Sequence, residues 1–299
     1  MHTRHSGRAG SDALTRPIRK AAPIVALAAL AAVAPAQAQV TLDVIGPHEY
    51  DLPVDFKPFN VFVQYATFQD GDRQWDGDGD RRRAAKTRTI VGLSKYVRFW
   101  TPESNPKIGL AYEIIVPEVG VRNSDARNSA SGIGDPITGF AAWYKPSPAS
   151  TLGIQSFMQL PVGDSDIGGG DVWKNLTSLF WDVQMGRLTY TADAGFVFFG
   201  ESTAADATPG TLFHTNHRLG YQIDDAIEPF LALDYERQQG WRNRAAGVKL
   251  PDSHETTAGL GVMFKYYGNQ SITVRYSRGI DGESHGATDS FNLKYVYAW

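Results

Sequence analysis

Fourteen polar side chains stand inside short apolar stretches of this chain: Gln64, Arg88, Glu113, Gln155, Gln159, Asp182, Asp193, Asn216, Arg218, Asp234, Glu236, Lys265, Arg275 and Lys294. Buried among apolar neighbours, charges of both signs must pair with one another or with polar atoms of a bound molecule. Asp234 or Glu236 with Lys265 is the expected ion pair, and Arg275 is expected near Lys294 on neighbouring late strands. A second group is "DGDRQWDGDGD" (70–80), with five aspartates around one turn. Carboxylates spaced by glycine can bind Ca²⁺, with Asp76, Asp78 and Asp80 as the best-placed ligands. The ligating Glu that should close such a loop is missing: twelve-residue loops starting at Asp70 and Asp76 end on Arg81 and Thr87. The acids are therefore expected to pair with Arg73 and Arg81–Arg83, and no metal is assigned. "GDSDIGGGD" (163–171) reads the same way.

The histidines form no catalytic arrangement. "HTNH" sets His214 and His217 three apart, on opposite faces of a strand. "DSHE" (252–255) crowds Asp252, Ser253, His254 and Glu255 into one stretch, whereas a working triad is a spatial arrangement. HExxH is absent, and the chain has no cysteine, so thiol catalysis and cysteine zinc sites are excluded. No enzyme activity and no cofactor are expected.

The elements that must carry these side chains are strands. "KIGLAYEIIV" (107–116), "TLGIQSFMQL" (151–160), "RLTYTADAGFVFF" (187–199), "AIEPFLALDYE" (226–236), "AGLGVMFKYY" (258–267) and "SITVRYSRG" (271–279) alternate apolar with polar or small residues, the period of a pleated strand. With "FNVFVQYATF" (59–68), the tail and weaker runs near 87–98, 135–145, 175–185 and 211–222, about twelve strands result, an even number. Their connections are long and short in turn. Residues 69–86, 117–134, 163–174, 200–210 and 237–255 are long; 101–106, 146–150, Gly186, 224–226 and 268–270 are short.

That rhythm predicts an all-β fold: a transmembrane antiparallel β-barrel with long extracellular loops and short periplasmic turns. A soluble β-sandwich is the alternative. In a barrel the apolar faces meet lipid and the polar set above lines the lumen, joined there by Phe62, Phe157, Phe199, Phe230 and Met263. Such a lumen is either an open passage or one filled by crossed charges. The mean hydropathy of −0.30 follows, since half of each strand faces inward. The tail "FNLKYVYAW" puts Phe291, Leu293, Tyr295, Tyr297 and Trp299 on one face. This is the expected closing strand, and its terminal aromatic is the kind of signal read by the barrel assembly machinery.

Residues 1–20 carry Arg4, Arg8, Arg16, Arg19 and Lys20, and "AAPIVALAALAAVA" (21–34) and "AQA" (36–38) follow. This is the pattern of a cleaved secretory signal over 1–38. It leaves a periplasmic N-terminal segment, 39–58, and a barrel, 59–299. Without the five bases and one acid of the signal, the 29 Lys and Arg and 32 Asp and Glu of the chain leave a formal charge of −7. A net acidic chain with no basic cluster is not built for nucleic acid.

"GIGDP" (132–136), "YKPSP" (144–148), "LPVGDSD" (160–166) and the closing aromatic strand resemble the outer-membrane transporters grouped as the "MetA-pathway of phenol degradation" family. The resemblance runs from about Phe56 to Trp299, and the chain departs from it in the acidic loop after the first strand. It implies a monomeric barrel in the outer membrane of a Gram-negative bacterium, with outer-membrane lipid around it and small hydrophobic or aromatic compounds passing through. The alternatives are a structural or ligand-binding barrel without flux and an outer-membrane hydrolase. The matching phrases are turn and strand-end signatures and carry no solute-contacting residue.

Overall fold

The computed structural model describes residues 46–299; the signal expected over 1–38 lies outside the described residues. The chain runs through β1 (Phe59–Trp75), β2 (Arg81–Trp100), β3 (Ile108–Asn123), β4 (Asn128–Ile133), β5 (Ile137–Ser147), β6 (Ser150–Gln159), β7 (Lys174–Met185) and β8 (Leu188–Phe199). It continues through β9 (Leu212–Tyr221), β10 (Ile227–Gln238), a small hairpin β11 (Trp241–Asn243) and β12 (Val248–Leu250), then β13 (Ser253–Tyr266), β14 (Gln270–Glu283) and β15 (Asp289–Ala298). Every pairing is antiparallel. β15 closes on β1 from Val61↔Ala298 to Asp70↔Asp289. β3 pairs β5 along its first half and β4 along its second, so β4 and β5 form one wall strand broken at Gly134–Pro136. The result is a closed barrel of twelve strands.

The barrel is apolar outside and polar inside. Phe140, Leu231 and Leu260 are 60–64 % exposed, while Arg218, Thr273 and Asn292 are fully buried. Water would penalise that arrangement on both faces, and a bilayer rewards it. It excludes a soluble sandwich, whose apolar faces would pack on each other. Phe291, Leu293, Tyr295, Tyr297 and Trp299 all lie on the outer face. The Tyr297 and Trp299 rings stack at 5.4 Å, part of an aromatic girdle with Tyr96 at the short-turn end.

The short turns are tight. Gly186, with φ 64, and Arg187 join β7 to β8 in two residues; such a hairpin needs a left-handed residue at its first turn position. At the other end, several stretches expected as long loops are ordered extensions of the strands. β1 and β2 pair up to Trp75↔Arg81, so only residues 76–80 turn. β3 and β4 pair as far as Asn123↔Asn128. Once the wall strands are paired, continuing their ladder outside the bilayer satisfies backbone groups that an open loop would leave to water.

Candidate functional site

The lumen is built from the inward-facing residues of each strand. Glu113, Gln155, Gln159, Asp182, Asp193, Asn216, Arg218, Asp234, Glu236, Lys265, Arg275 and Lys294 all point into it. Gln64 and Arg88 do not, and neither does Phe62; they face outward. The reason is that β1 carries apolar residues on both faces, while β2 turns its valines inward and Arg88 outward. Val61, Val63, Tyr65 and Val97 are buried inside, so an alternation rule that sends apolar residues to lipid has nothing to choose by on β1 and chooses wrongly on β2. Arg88 pairs with Asp70 at 2.8 Å, where both are exposed.

The expected ion pairs also differ. Lys265 aligns with Ser271, near the short-turn end, whereas Asp234 aligns with Thr257. Lys265 reaches Glu228 instead, at 3.7 Å, and Glu236 meets His285 at 2.9 Å. Asp234 bridges Arg218 and Arg275, the latter at 3.1 Å. Asn216 donates to Asp193 at 2.8 Å, and His214 stands 3.5 Å from the same carboxylate. This network lines the lumen on the side of β8, β9, β10 and β14. His217 faces outward and meets the Tyr190 hydroxyl. Asp76 accepts the amides of Asp78 and Asp80 and pairs with Arg82 at 2.7 Å.

At the short-turn end the barrel holds its own N-terminal segment. Residues 46–58 enter the mouth as a strap. Glu49 pairs with Lys294 and accepts the Tyr65 hydroxyl at 2.9 Å. The Tyr50 ring stacks on Phe180, with centroids 4.3 Å apart, and its hydroxyl accepts from Gln155 at 3.1 Å. Asp51 accepts from Lys145 at 3.2 Å, and Trp143 donates to the Pro53 carbonyl at 2.7 Å. Leu52, Val54 and Phe56 pack on the wall cluster of Val61, Val97, Phe99 and Trp143. Beside the strap lies a cavity of about 730 Å³. Val63, Phe99, Ile115 and Phe157 give it apolar walls, and the Lys95–Glu113 pair (2.8 Å) and Lys294 reach into it. That volume and this mix of apolar wall and few polar groups suit a small organic molecule. None of the strap contacts was visible in the sequence, because residues 46–58 have no periodicity to mark them.

The strap's seat is electrostatic as well as apolar. Burial alone would lower the His48 imidazole, but its bonds to Asp51 and Glu228 (2.8 Å) and the Glu228 charge prevail and raise it from 6.5 to about 9. Burial would raise the Glu49 carboxyl, and the Lys294 and Lys95 charges hold it below its usual range. A seated pKa above the free value strengthens seating fully below pH 6.5 and is lost as pH climbs through 9. A nitroxide on a cysteine replacing exposed Asp55 will therefore gain mobility between pH 6.5 and 9.5, and His48→Gln will flatten that transition. The chain's lack of other cysteines makes the label specific.

The family phrases meet in space. Asp135 of "GIGDP" is buried and accepts the amides of Gly163 (2.8 Å) and Gly170 (2.9 Å) and the Gln159 side chain (3.2 Å). Asp164 of "LPVGDSD" returns the exchange: its amide donates to the Ile133 carbonyl and its carboxylate accepts the Ile133 amide at 2.8 Å. A Cβ on Gly163 would stand 2.6 Å from the Asp135 nitrogen, so the approach requires glycine. The knot covers the wall where, among the described residues, β4 has no strand on its far edge.

The family's sequence profile, described as "Putative MetA-pathway of phenol degradation", matches residues 71–295. The chain belongs to this family. No curated protein matches the sequence. Among solved structures, the COG4313 outer membrane channel from Pseudomonas putida F1 superposes with a TM-score of 0.75 at 15 % identity, over 85 % of this chain and all of that one. The translocator domain of the autotransporter NalP from Neisseria meningitidis gives 0.52 at 10 % identity, over 91 % and 97 % of the two chains. At these identities the likeness is one of fold: this family member folds as the barrels of outer-membrane proteins do.

Proposed function

We propose that the protein is an outer-membrane channel for small hydrophobic or aromatic solutes. The observation that carries this is the apolar cavity of about 730 Å³ inside a lipid-embedded barrel. A wall rich in Phe and Val desolvates an apolar solute at little cost, which a water-filled polar pore cannot do. The family description and the name of the Pseudomonas putida channel support the same reading. We assign no catalytic role to the histidines: His214 points into the lumen, and His254 stands on the outside beside Asp281 and Glu283. In this reading the barrel works as a monomer, exported through its N-terminal signal, and the strand ending at Trp299 is what the assembly machinery reads.

The test is flux into liposomes carrying refolded protein, with folding checked by faster gel migration before boiling. An aromatic acid is compared with a sugar of similar mass, since neutral phenols cross lipid unaided. The aromatic acid will enter several-fold faster. Equal rates would mean a general pore, and no flux for either would leave a binding barrel.

A further inference from the structure

Resting on that reading, we propose that Glu49 and Tyr50 stand in for the solute, and that the solute is an aromatic carboxylate. The wall charges of the cavity are unevenly matched. Lys95 is answered by Glu113, on the neighbouring wall strand, at 2.8 Å. Lys294 is answered by Glu49, which belongs to the strap; among the described residues no wall carboxylate pairs with it. The two oxygens of Glu49 are held separately, one by the Lys294 ammonium and the other by the Tyr65 hydroxyl. A cation and a phenol donor converging on the two oxygens of one carboxylate, in an apolar cavity, form a carboxylate site. Lys294 is only 7 % exposed, so leaving it without an anion is costly. The strap can therefore withdraw Glu49 readily only when another anion takes its place.

The neighbouring residue occupies the complementary position. Tyr50 lies flat on Phe180, with an interplanar angle of 14°, and its hydroxyl meets Gln155. Phe180 is a wall residue with a face ready for a ring, and Gln155 offers a donor at the ring's edge. The wall thus presents an anion site and an aromatic shelf, and consecutive side chains of the chain's own strap fill both. A solute with a carboxylate and an aryl ring competes for the same contacts. Its binding and the strap's release are then one event, which makes the solute its own key.

The experiment is titration calorimetry on the refolded barrel in detergent with benzoate and, as its neutral counterpart, benzamide. Glu49→Gln keeps the strap but removes the internal anion. It should tighten benzoate binding at least tenfold and leave benzamide unchanged. Adding Lys294→Met should abolish the preference for benzoate. Tyr65→Phe, which removes a single hydroxyl, should weaken benzoate several-fold in the Glu49→Gln background and covers the case in which the lysine variant fails to fold. Equal binding of benzoate and benzamide to Glu49→Gln, or a benzoate preference that survives loss of Lys294 or of the Tyr65 hydroxyl, overturns the proposal. The channel reading is judged separately by flux. Benzoate entry well above that into protein-free liposomes, with no dependence on Glu49, would keep the channel and discard the carboxylate site.

Discussion

Asp234→Ala will destabilise the barrel by about 3–5 kcal/mol, measured by urea unfolding in detergent. One Asp234 oxygen holds the Arg218 guanidinium and the other holds Arg275 at 3.1 Å, and Thr257 adds its hydroxyl. Arg218 is fully buried and Arg275 is 3 % exposed. Removing the shared carboxylate leaves two like charges facing each other in a confined space. Each keeps its desolvation cost and loses a charged partner. The combination Arg218→Met, Asp234→Ala and Arg275→Met should recover most of the loss, because it removes the charges along with their partner. A cost below about 1 kcal/mol for Asp234→Ala would show that water reaches the arginines. This side of the lumen would then be a wet passage, and solutes would have two routes through the barrel. The measurement therefore reports on permeation as well as stability.

The barrel was legible in the sequence because two of its constraints leave local marks. Lipid outside and polar groups inside impose the two-residue period, clear in 226–236 and 258–267, and the alternation of long and short connections reports the two sides of the membrane. Those marks failed where the physics is not local. Along β1 the inner face is apolar because it faces the cavity and the strap, so alternation alone puts Gln64 on the wrong side. Ion pairs depend on register between strands, which no single strand displays; Lys265 and Asp234 look like partners in a list and lie at different heights in the wall. Glu118 is illegible in the sequence for a related reason. It lies on the outer face, where the Ser94 hydroxyl stands 2.7 Å from its carboxylate and 2.8 Å from the Gln64 side-chain oxygen, an arrangement that exists only once three strands are aligned. The strap was the hardest to see, since an extended segment that docks by single side chains has no period at all. The family phrases pointed to turns, and only their meeting in space shows that "GIGDP" and "LPVGDSD" are two halves of one knot.

That knot supports the second large effect. Asp135→Ala will release the segment 160–173 from the wall. Asp135 is 6 % exposed and accepts three bonds. Bonds to a charged acceptor contribute about 1.5–3 kcal/mol each, and the stranded Gly163 and Gly170 amides would carry a desolvation penalty of their own. The losses are coupled, so the expected cost is about 3–5 kcal/mol rather than their sum. It falls locally, because the twelve-strand ladder does not depend on this segment for closure. The expected phenotype is a barrel that still migrates fast before boiling, is cut by protease within 160–173, and conducts with frequent current fluctuations where the wild type is steady. Asp135→Asn keeps the shape and part of the bonding and should fall in between. Gly163→Ala, by forcing a Cβ to 2.6 Å from the Asp135 nitrogen, should reproduce the alanine variant through geometry alone. If both Asp135→Ala and Gly163→Ala resist protease and conduct steadily, the wall does not need the knot once built. Its role would then lie in assembly, where joining β4 to the segment ahead of β7 fixes the register of the wall before the barrel closes.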